Sequence, residues 1–139
     1  MKKKICIIVA DYYPSISKDL FNGASRVLNQ HGIKNFKKII VPGVFEIPIL
    51  ITKNINRYEG FVALGCVIKG KTSHFGLITK SVSDGLMNLS IINKKPIGNG
   101  IIACSSKKQA LERSSIKKVF KNKGYESARA IYELLKVFY

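Results

Sequence analysis

Four short apolar runs alternate along the chain with longer segments in which apolar and polar residues are mixed. The runs cover residues 5–10, 37–43, 60–68 and 96–105, and they are rich in Ile and Val with little polar alternation. Such runs are typical of parallel strands in a sheet that is covered on both faces. Because a mixed, helix-length segment follows each run, the pattern predicts a βαβ-wound α/β domain of three layers.

The mixed segments carry ordinary helix signals. In the first segment Gly32 is placed to end a helix. The apolar residues of that segment fall at helical spacing: Leu20, Phe21, Ala24, Val27 and Leu28. Pro48 is tolerable only in the first turn of the second helix, and Ser106 and Gln109 form a capping-box pair before the fourth. Residues 125–139 are expected to form a final helix.

Length and composition indicate one domain. The chain has 139 residues, of which 46% are hydrophobic, so one proper core is expected and two comfortable ones are not. No linker, repeat or low-complexity segment interrupts the alternation. We therefore expect a single domain over residues 1–139.

The chain is strongly basic, with 24 Lys and Arg against 8 Asp and Glu and a net charge of +16. Such an excess attracts phosphorylated metabolites, nucleic acid or acidic membrane surfaces. The lysines are scattered, however, and no basic stripe is interleaved with aromatic residues. A general bias in residue usage therefore explains the charge better than a built patch.

The cysteines and the N-terminal run bear on the compartment. Cys6, Cys66 and Cys104 lie in apolar runs at wide spacing, which favours buried thiols over a disulfide framework or a zinc site. The run at residues 5–10 is shorter than the apolar core of a signal peptide. No stretch approaches the length of a membrane span. We expect a cytoplasmic protein.

In open parallel sheets, ligands bind outside the carboxyl ends of the strands. The segments there are "DYYPS" (11–15), "VPGVFE" (41–46), "KGKTSHF" (69–75) and "CSSKK" (104–108). They contain neither the glycine-rich motif of dinucleotide binding nor that of the P-loop. Metal-ligand spacing is also missing, because His31 lies far from His74 in the sequence.

The stretch "GKTSHF" combines a turn, a helix start and an imidazole. Gly70 permits a sharp turn, and Thr72 or Ser73 can cap the helix that follows. Free N–H groups at a helix start suit a phosphate, and His74 beside them could move a proton at neutral pH. The alternative is a capping turn with a surface histidine.

Three further side chains are candidates, each with an ordinary structural explanation. Glu46 lies among apolar neighbours and would need a lysine, a backbone donor or ligand hydroxyls as partner, unless it only favours a helix dipole. Tyr12 or Tyr13 could stack on a planar ring, or could simply pack. Arg113 lies late in an amphipathic helix, where a solvated face is the default.

Taken together and in order, these segments resemble the lumazine synthase family of riboflavin biosynthesis. The motifs that carry the resemblance are "VPGVFEIP" (41–48), "ALGCVIKGKTSHF" (63–75), "PIGNG" (96–100), "LER" (111–113) and "NKG" (122–124). The resemblance implies a flavodoxin-like domain with a four-stranded parallel sheet that assembles into homopentamers. It implies condensation of 5-amino-6-(ribitylamino)uracil with 3,4-dihydroxy-2-butanone 4-phosphate, giving 6,7-dimethyl-8-ribityllumazine, phosphate and water, without cofactor or metal.

The resemblance also implies the residues that bind the pyrimidine and its ribityl chain. Tyr12 takes the position of the aromatic that stacks on the ring. The backbone around Val44 and Phe45, with the Glu46 carboxylate, would hold the ribityl chain. The ring would be lined by three consecutive residues: Cys66, Val67 and Ile68.

For the second substrate, the resemblance implies that Lys71 and Thr72 receive the phosphate with help from Arg113. His74 falls on the proton-transfer histidine of the family. Asn99 and Arg113 correspond to residues that a neighbouring subunit contributes, and Lys123 matches the lysine of the "NKG" segment.

Some positions depart from the family pattern. Many relatives carry an aromatic residue where this chain has Asn99, and the segment between Arg113 and "NKG" is two residues longer than its common form. The chain also begins almost at its first strand. These departures favour free pentamers, or pairs of them, over a 60-subunit capsid. Riboflavin synthase is a candidate partner.

Two alternative functions stay open, and the first belongs to another class of protein. One is a basic nucleic-acid-binding domain, which would show steep salt dependence and no role for His74 or Glu46. The other is a relative that binds a ligand of the pathway without turnover, for which Asn99 is the warning sign.

Overall fold

Strands and helices alternate from one end of the chain to the other. The computed structural model describes residues 4–70 and 74–138. The strands are β1 (Ile5–Ala10), β2 (Phe36–Val41), β3 (Gly60–Ile68) and β4 (Ile97–Cys104). The helices are α1 (Pro14–Gln30), α2 (Ile47–Asn54), α3 (His74–Asn93), α4 (Lys107–Arg113) and α5 (Lys123–Phe138). Single 3₁₀ turns, Val44–Glu46 and Val119–Lys121, precede α2 and α5.

The four strands form one parallel sheet in the order β2-β1-β3-β4. Side chains alternate across β1, so that Ile5 and Ile7 pack in one core with α1 and α5, while Cys6 and Ile8 pack in a second core with α2 and α3. Helices therefore cover both faces of the sheet. The predicted three-layer α/β architecture is confirmed, and the strand order is flavodoxin-like.

The expectation of strands covered on both faces holds for the centre of the sheet and is wrong for its edges. Every residue of β1 is buried, whereas Lys37, Lys38 and Ile40 of β2 are exposed. On β4, buried and more accessible residues alternate. Edge strands lack a neighbour on one side, and lysines there also discourage pairing with another chain.

Two of the predicted helix signals, at Gly32 and at Ser106, are found where the sequence placed them, with one difference. Gly32 has φ +76° and closes α1 in a Schellman motif, in which the Ile33 N–H donates to the Leu28 carbonyl. The Ser106 hydroxyl accepts from the N–H of Gln109, as in a capping box. The Gln109 side chain, however, accepts from the N–H of Ser105 instead of Ser106.

All three cysteines are buried free thiols, as predicted. No helix within residues 4–70 and 74–138 combines the length and the apolar character that crossing a membrane requires.

Candidate active site

A cavity of about 570 Å³ opens at the carboxyl ends of β1, β2 and β3. Tyr12 and Tyr13 enter it from the loop after β1, and residues 43–46 from the turn after β2. Its remaining walls are residues 66–68, together with His74 and Ile78 of α3. Because β1 and β3 lie where the order of the strands reverses, the cavity occupies the crevice in which α/β sheets bind ligands.

The loop after β1 presents two tyrosine rings. Their centroids lie 5.0 Å apart in an edge-to-face arrangement. The side chain of Tyr12 is 72% exposed, which leaves its ring face open to a planar ligand. Burial, followed by the neighbouring Tyr12 and Cys66, raises the pKa of the Tyr13 phenol. Tyr13 therefore remains a hydrogen-bond donor at neutral pH.

The turn after β2 places an aromatic ring and a carboxylate on the cavity wall. Val44 is buried in the core and anchors the turn, which the bond from the Glu46 N–H to the Gly43 carbonyl closes at 3.2 Å. Phe45 is 62% exposed. Glu46 is the N-cap residue of α2, and its carboxylate has no hydrogen-bond or ion-pair partner within the described part of the chain. It can therefore accept hydrogen bonds from a bound polyol.

The end of β3 forms an apolar wall with an uncharged thiol. Burial, followed by the nearby Cys104 thiol, raises the pKa of Cys66 to about 12. Burial also raises the pKa of Cys104, although Arg113 partly offsets it. Since the thiolate is the reactive form of cysteine, these side chains act at neutral pH as packing groups and not as nucleophiles. Val67 and Ile68 complete the wall half-buried.

His74 is the first residue of α3, and its exposed side chain lines the cavity one helical turn before Ile78. An imidazole at this point can give or take a proton from a ligand held against the ends of the strands.

Three predicted site residues lie outside the cavity of their own chain. Arg113, the last residue of α4, donates a hydrogen bond of 3.1 Å to the carbonyl of Ala103 on β4. Asn99 is exposed on the edge strand β4. Lys123 forms an ion pair of 3.1 Å with Glu126.

The predicted phosphate-binding residues Lys71 and Thr72, and the alternative cap Ser73, lie outside the described residues. Elsewhere in the chain, among residues 4–70 and 74–138, no group of three or more His, Cys, Asp or Glu side chains could hold a metal ion.

Among the cavity residues, Ile78 was not predicted from the sequence, and Gly43 was predicted only as part of the segment "VPGVFE" (41–46). Gly43 lies two residues after the last residue of β2, and the Pro-Gly pair in "VPG" is itself a turn signal. Ile78 could have been found from His74, because residues four apart share one face of a helix.

Comparison with known proteins places the chain among enzymes of one kind. A family model described as 6,7-dimethyl-8-ribityllumazine synthase matches residues 2–138. The chain is 40% identical to the 6,7-dimethyl-8-ribityllumazine synthase of Buchnera aphidicola subsp. Baizongia pistaciae, over 98% of this chain and 87% of that protein. It is 37% identical to the enzyme of the same name from Leuconostoc mesenteroides, over 98% and 88% of the two chains. For the one from Cutibacterium acnes the identity is 33%, over 91% and 76%.

Proposed function

Because this chain belongs to the 6,7-dimethyl-8-ribityllumazine synthase family, we propose that it condenses 5-amino-6-(ribitylamino)uracil with 3,4-dihydroxy-2-butanone 4-phosphate. The products are 6,7-dimethyl-8-ribityllumazine, phosphate and water, in the penultimate step of riboflavin biosynthesis. The observation that carries the proposal is the match to the family over nearly the whole chain. It is supported by the cavity, which gathers most of the residues that the sequence resemblance singled out.

The pyrimidine and its ribityl chain are assigned to the described cavity. The open face of Tyr12 stacks on the ring, and the apolar wall of residues 66–68 packs against it. Main-chain groups of that wall form hydrogen bonds with the polar edge of the ring. The ribityl hydroxyls donate to the Glu46 carboxylate, which is otherwise unpaired within the described residues.

The second substrate, 3,4-dihydroxy-2-butanone 4-phosphate, is assigned to the start of α3. Lys71, Thr72 and Arg113 receive the phosphate, and His74 moves protons as phosphate is eliminated and the ring closes. The amine of the pyrimidine is already a competent nucleophile, so much of the rate comes from holding the two substrates together.

The whole chain is proposed to act as one domain, residues 1–139, in a cytoplasmic homopentamer whose active sites lie between neighbouring subunits. Tyr12 and Phe45 line the cavity and are exposed in the single chain, whereas Arg113 and Asn99 are not among the residues that line it. A neighbour that supplies this pair would complete the site. We favour free pentamers or pairs of them over a capsid, and riboflavin synthase is a candidate partner.

The experiment that tests the function mixes the purified protein with both substrates and follows the absorbance and fluorescence of the lumazine. We expect product well above the spontaneous rate. Glu46→Gln should slow turnover about tenfold when the pyrimidine is below saturation, because glutamine still accepts a hydrogen bond but a charged acceptor contributes about 1–1.5 kcal/mol more than a neutral one. The control is Glu133→Gln, which changes an exposed carboxylate on α5 outside the cavity. A rate equal to the spontaneous background would contradict the assignment and leave ligand binding without turnover.

A further inference from the structure

The side chain of Asn122 joins three separate parts of the chain. It is 0% exposed and stands immediately before α5. Its amide nitrogen donates at 3.0 Å to the carbonyl of Asp19 on α1, and at 3.0 and 3.3 Å to the carbonyls of Ser114 and Ser115. Its amide oxygen accepts at 3.1 Å from the N–H of Tyr125 in the first turn of α5.

Helix α1 leaves room for this amide. Gly23 of α1 faces it, and a Cβ atom at Gly23 would overlap the Asn122 side chain. The amide therefore occupies a slot that exists only because α1 has a glycine there. A buried amide whose donors and acceptor are all used is expensive to disturb, since each orphaned group would carry its full desolvation cost.

Asn122 fixes the backbone that carries two cations of the proposed site. Ser114 and Ser115 directly follow Arg113, and Lys123 directly follows Asn122. The helix that ends at Arg113 has only seven residues, so its last turn depends on tertiary bonds of this kind. Beyond these bonds, the exposed guanidinium is held by its contact with the carbonyl of Ala103, at the carboxyl end of β4.

We propose that Asn122 is a positioning residue for phosphate binding: by clamping the end of α4, it holds Arg113 where a neighbouring subunit's phosphate site needs it. This inference rests on the proposed function. Asn122 itself contacts no substrate, and it acts only through Arg113.

The inference predicts a particular kinetic signature. A guanidinium that contacts the phosphate in the bound substrate and in the transition state alike contributes uniform binding, so its displacement raises KM and leaves kcat nearly unchanged. A purely structural defect would lower the amount of active enzyme and would not raise KM for one substrate.

The test uses Asn122→Ser in the full-length enzyme, alone and combined with Arg113→Ala. Serine is a good N-cap and can still accept from the N–H of Tyr125, but it is too short to reach the carbonyls of Ser114 and Ser115. We expect KM for the butanone phosphate to rise about tenfold in the single variant, or about 1.4 kcal/mol. The same change in the Arg113→Ala background should raise it less than twofold.

The outcomes distinguish a failure of the inference on Asn122 from a failure of the site proposed for Arg113. If Asn122→Ser has the same effect in both backgrounds, the positioning inference is overturned while the proposed function stands. If Arg113→Ala leaves KM for the phosphate substrate unchanged, the role of Arg113 in the proposed site is what fails, and the inference on Asn122 falls with it.

Two further arms guard against a variant that does not fold. Leu135→Ala removes a buried side chain of α5 away from this junction, and it should lower stability without changing KM. In the wild-type enzyme, saturating inorganic phosphate should slow hydrogen exchange of the Tyr125 amide severalfold. Bound phosphate would order Arg113 and, with it, the hydrogen bonds of the Asn122 side chain. Unchanged exchange would overturn the inference without any variant of Asn122.

Discussion

At the residue scale, the two histidines of the chain occupy contrasting places, and the contrast gives a test. His74 lines the cavity, whereas His31 lies beyond the end of α1 and stacks on the Tyr132 ring with centroids 3.9 Å apart. His74→Ala should lower kcat about tenfold to a thousandfold without abolishing it, because positioned proton transfer contributes on that order and positioning of the substrates remains. The initial rate of lumazine formation measures this, and equal losses in His74→Ala and His31→Ala would contradict it.

The buried thiols predict a loss of stability in alkali. The pKa of Cys66 is about 12 in the fold against 9.0 ordinarily, so the folded chain keeps a proton that the unfolded chain releases above pH 9. The stability that this group contributes is therefore complete below pH 9 and falls by up to about 1.4 kcal/mol per unit as the pH rises from 9 towards 12. Cys66→Ala should flatten the decline in the free energy of unfolding measured in urea between pH 9 and 10.5.

Ser127→Ala provides the control for that measurement. Ser127 is as buried as Cys66 but does not titrate in this range, so its removal should leave the slope with pH unchanged. The same slope in wild type, Cys66→Ala and Ser127→Ala would show that another group governs alkaline unfolding.

Single site residues could be predicted here only from their position relative to the strand ends and to one another. Glu46 and His74 each had an ordinary structural explanation, and what gathers them is the rule that ligands bind at the carboxyl ends of parallel strands. Asn122 could not be found in this way. One of its partners, Asp19, is 103 residues away in the sequence, and no local pattern indicates which buried amide will join three segments.

At the scale of elements, local chemistry predicted the helix ends well because their partners are local. The Schellman closure at Gly32 and the cap at Ser106 involve residues within a few positions of each other. Whether a strand is central or at an edge depends instead on pairing between distant segments. The lysines of β2 are a local signal of an edge strand, and the prediction of strands covered on both faces left this signal out.

Backbone conformation predicts opposite effects of the same substitution at two glycines, one that closes α1 and one inside α3. Gly32→Ala should destabilise the fold by about 1 kcal/mol, because an L-residue at φ +76° is strained. Gly76→Ala, in α3, should stabilise by about 0.5–1 kcal/mol, since a Cβ there meets no atom within 4 Å and alanine favours the helix. Guanidinium unfolding at one protein concentration measures both changes, and the same sign for the two would refute the argument.

At the scale of the whole molecule, the outer face of α3 carries apolar side chains that the core leaves uncovered, around the exposed Lys80–Asp84 ion pair. Val82 and Leu86 pack in the core, whereas Leu77, Met87 and Ile91 share the outer face and are 66%, 61% and 66% exposed. Exposed apolar side chains that are grouped on one helix face are typical of interfaces. This supports the proposed pentamer, with the outer face of α3 turned towards a neighbour.

A charge placed on that face should therefore break the assembly. Ile91→Asp would bury an unpaired carboxylate between subunits, which costs several kcal/mol per interface, and sedimentation velocity should show wild-type pentamers but smaller species for the variant. Val137→Asp makes a similar change at an 84% exposed position on α5 and should sediment as wild type. Turnover should fall with the pentamer although no cavity residue has changed, because each site would lose the arginine of its neighbour. A dissociated Ile91→Asp with full activity would mean that one chain completes its own site, and an intact pentamer would move the interface away from α3.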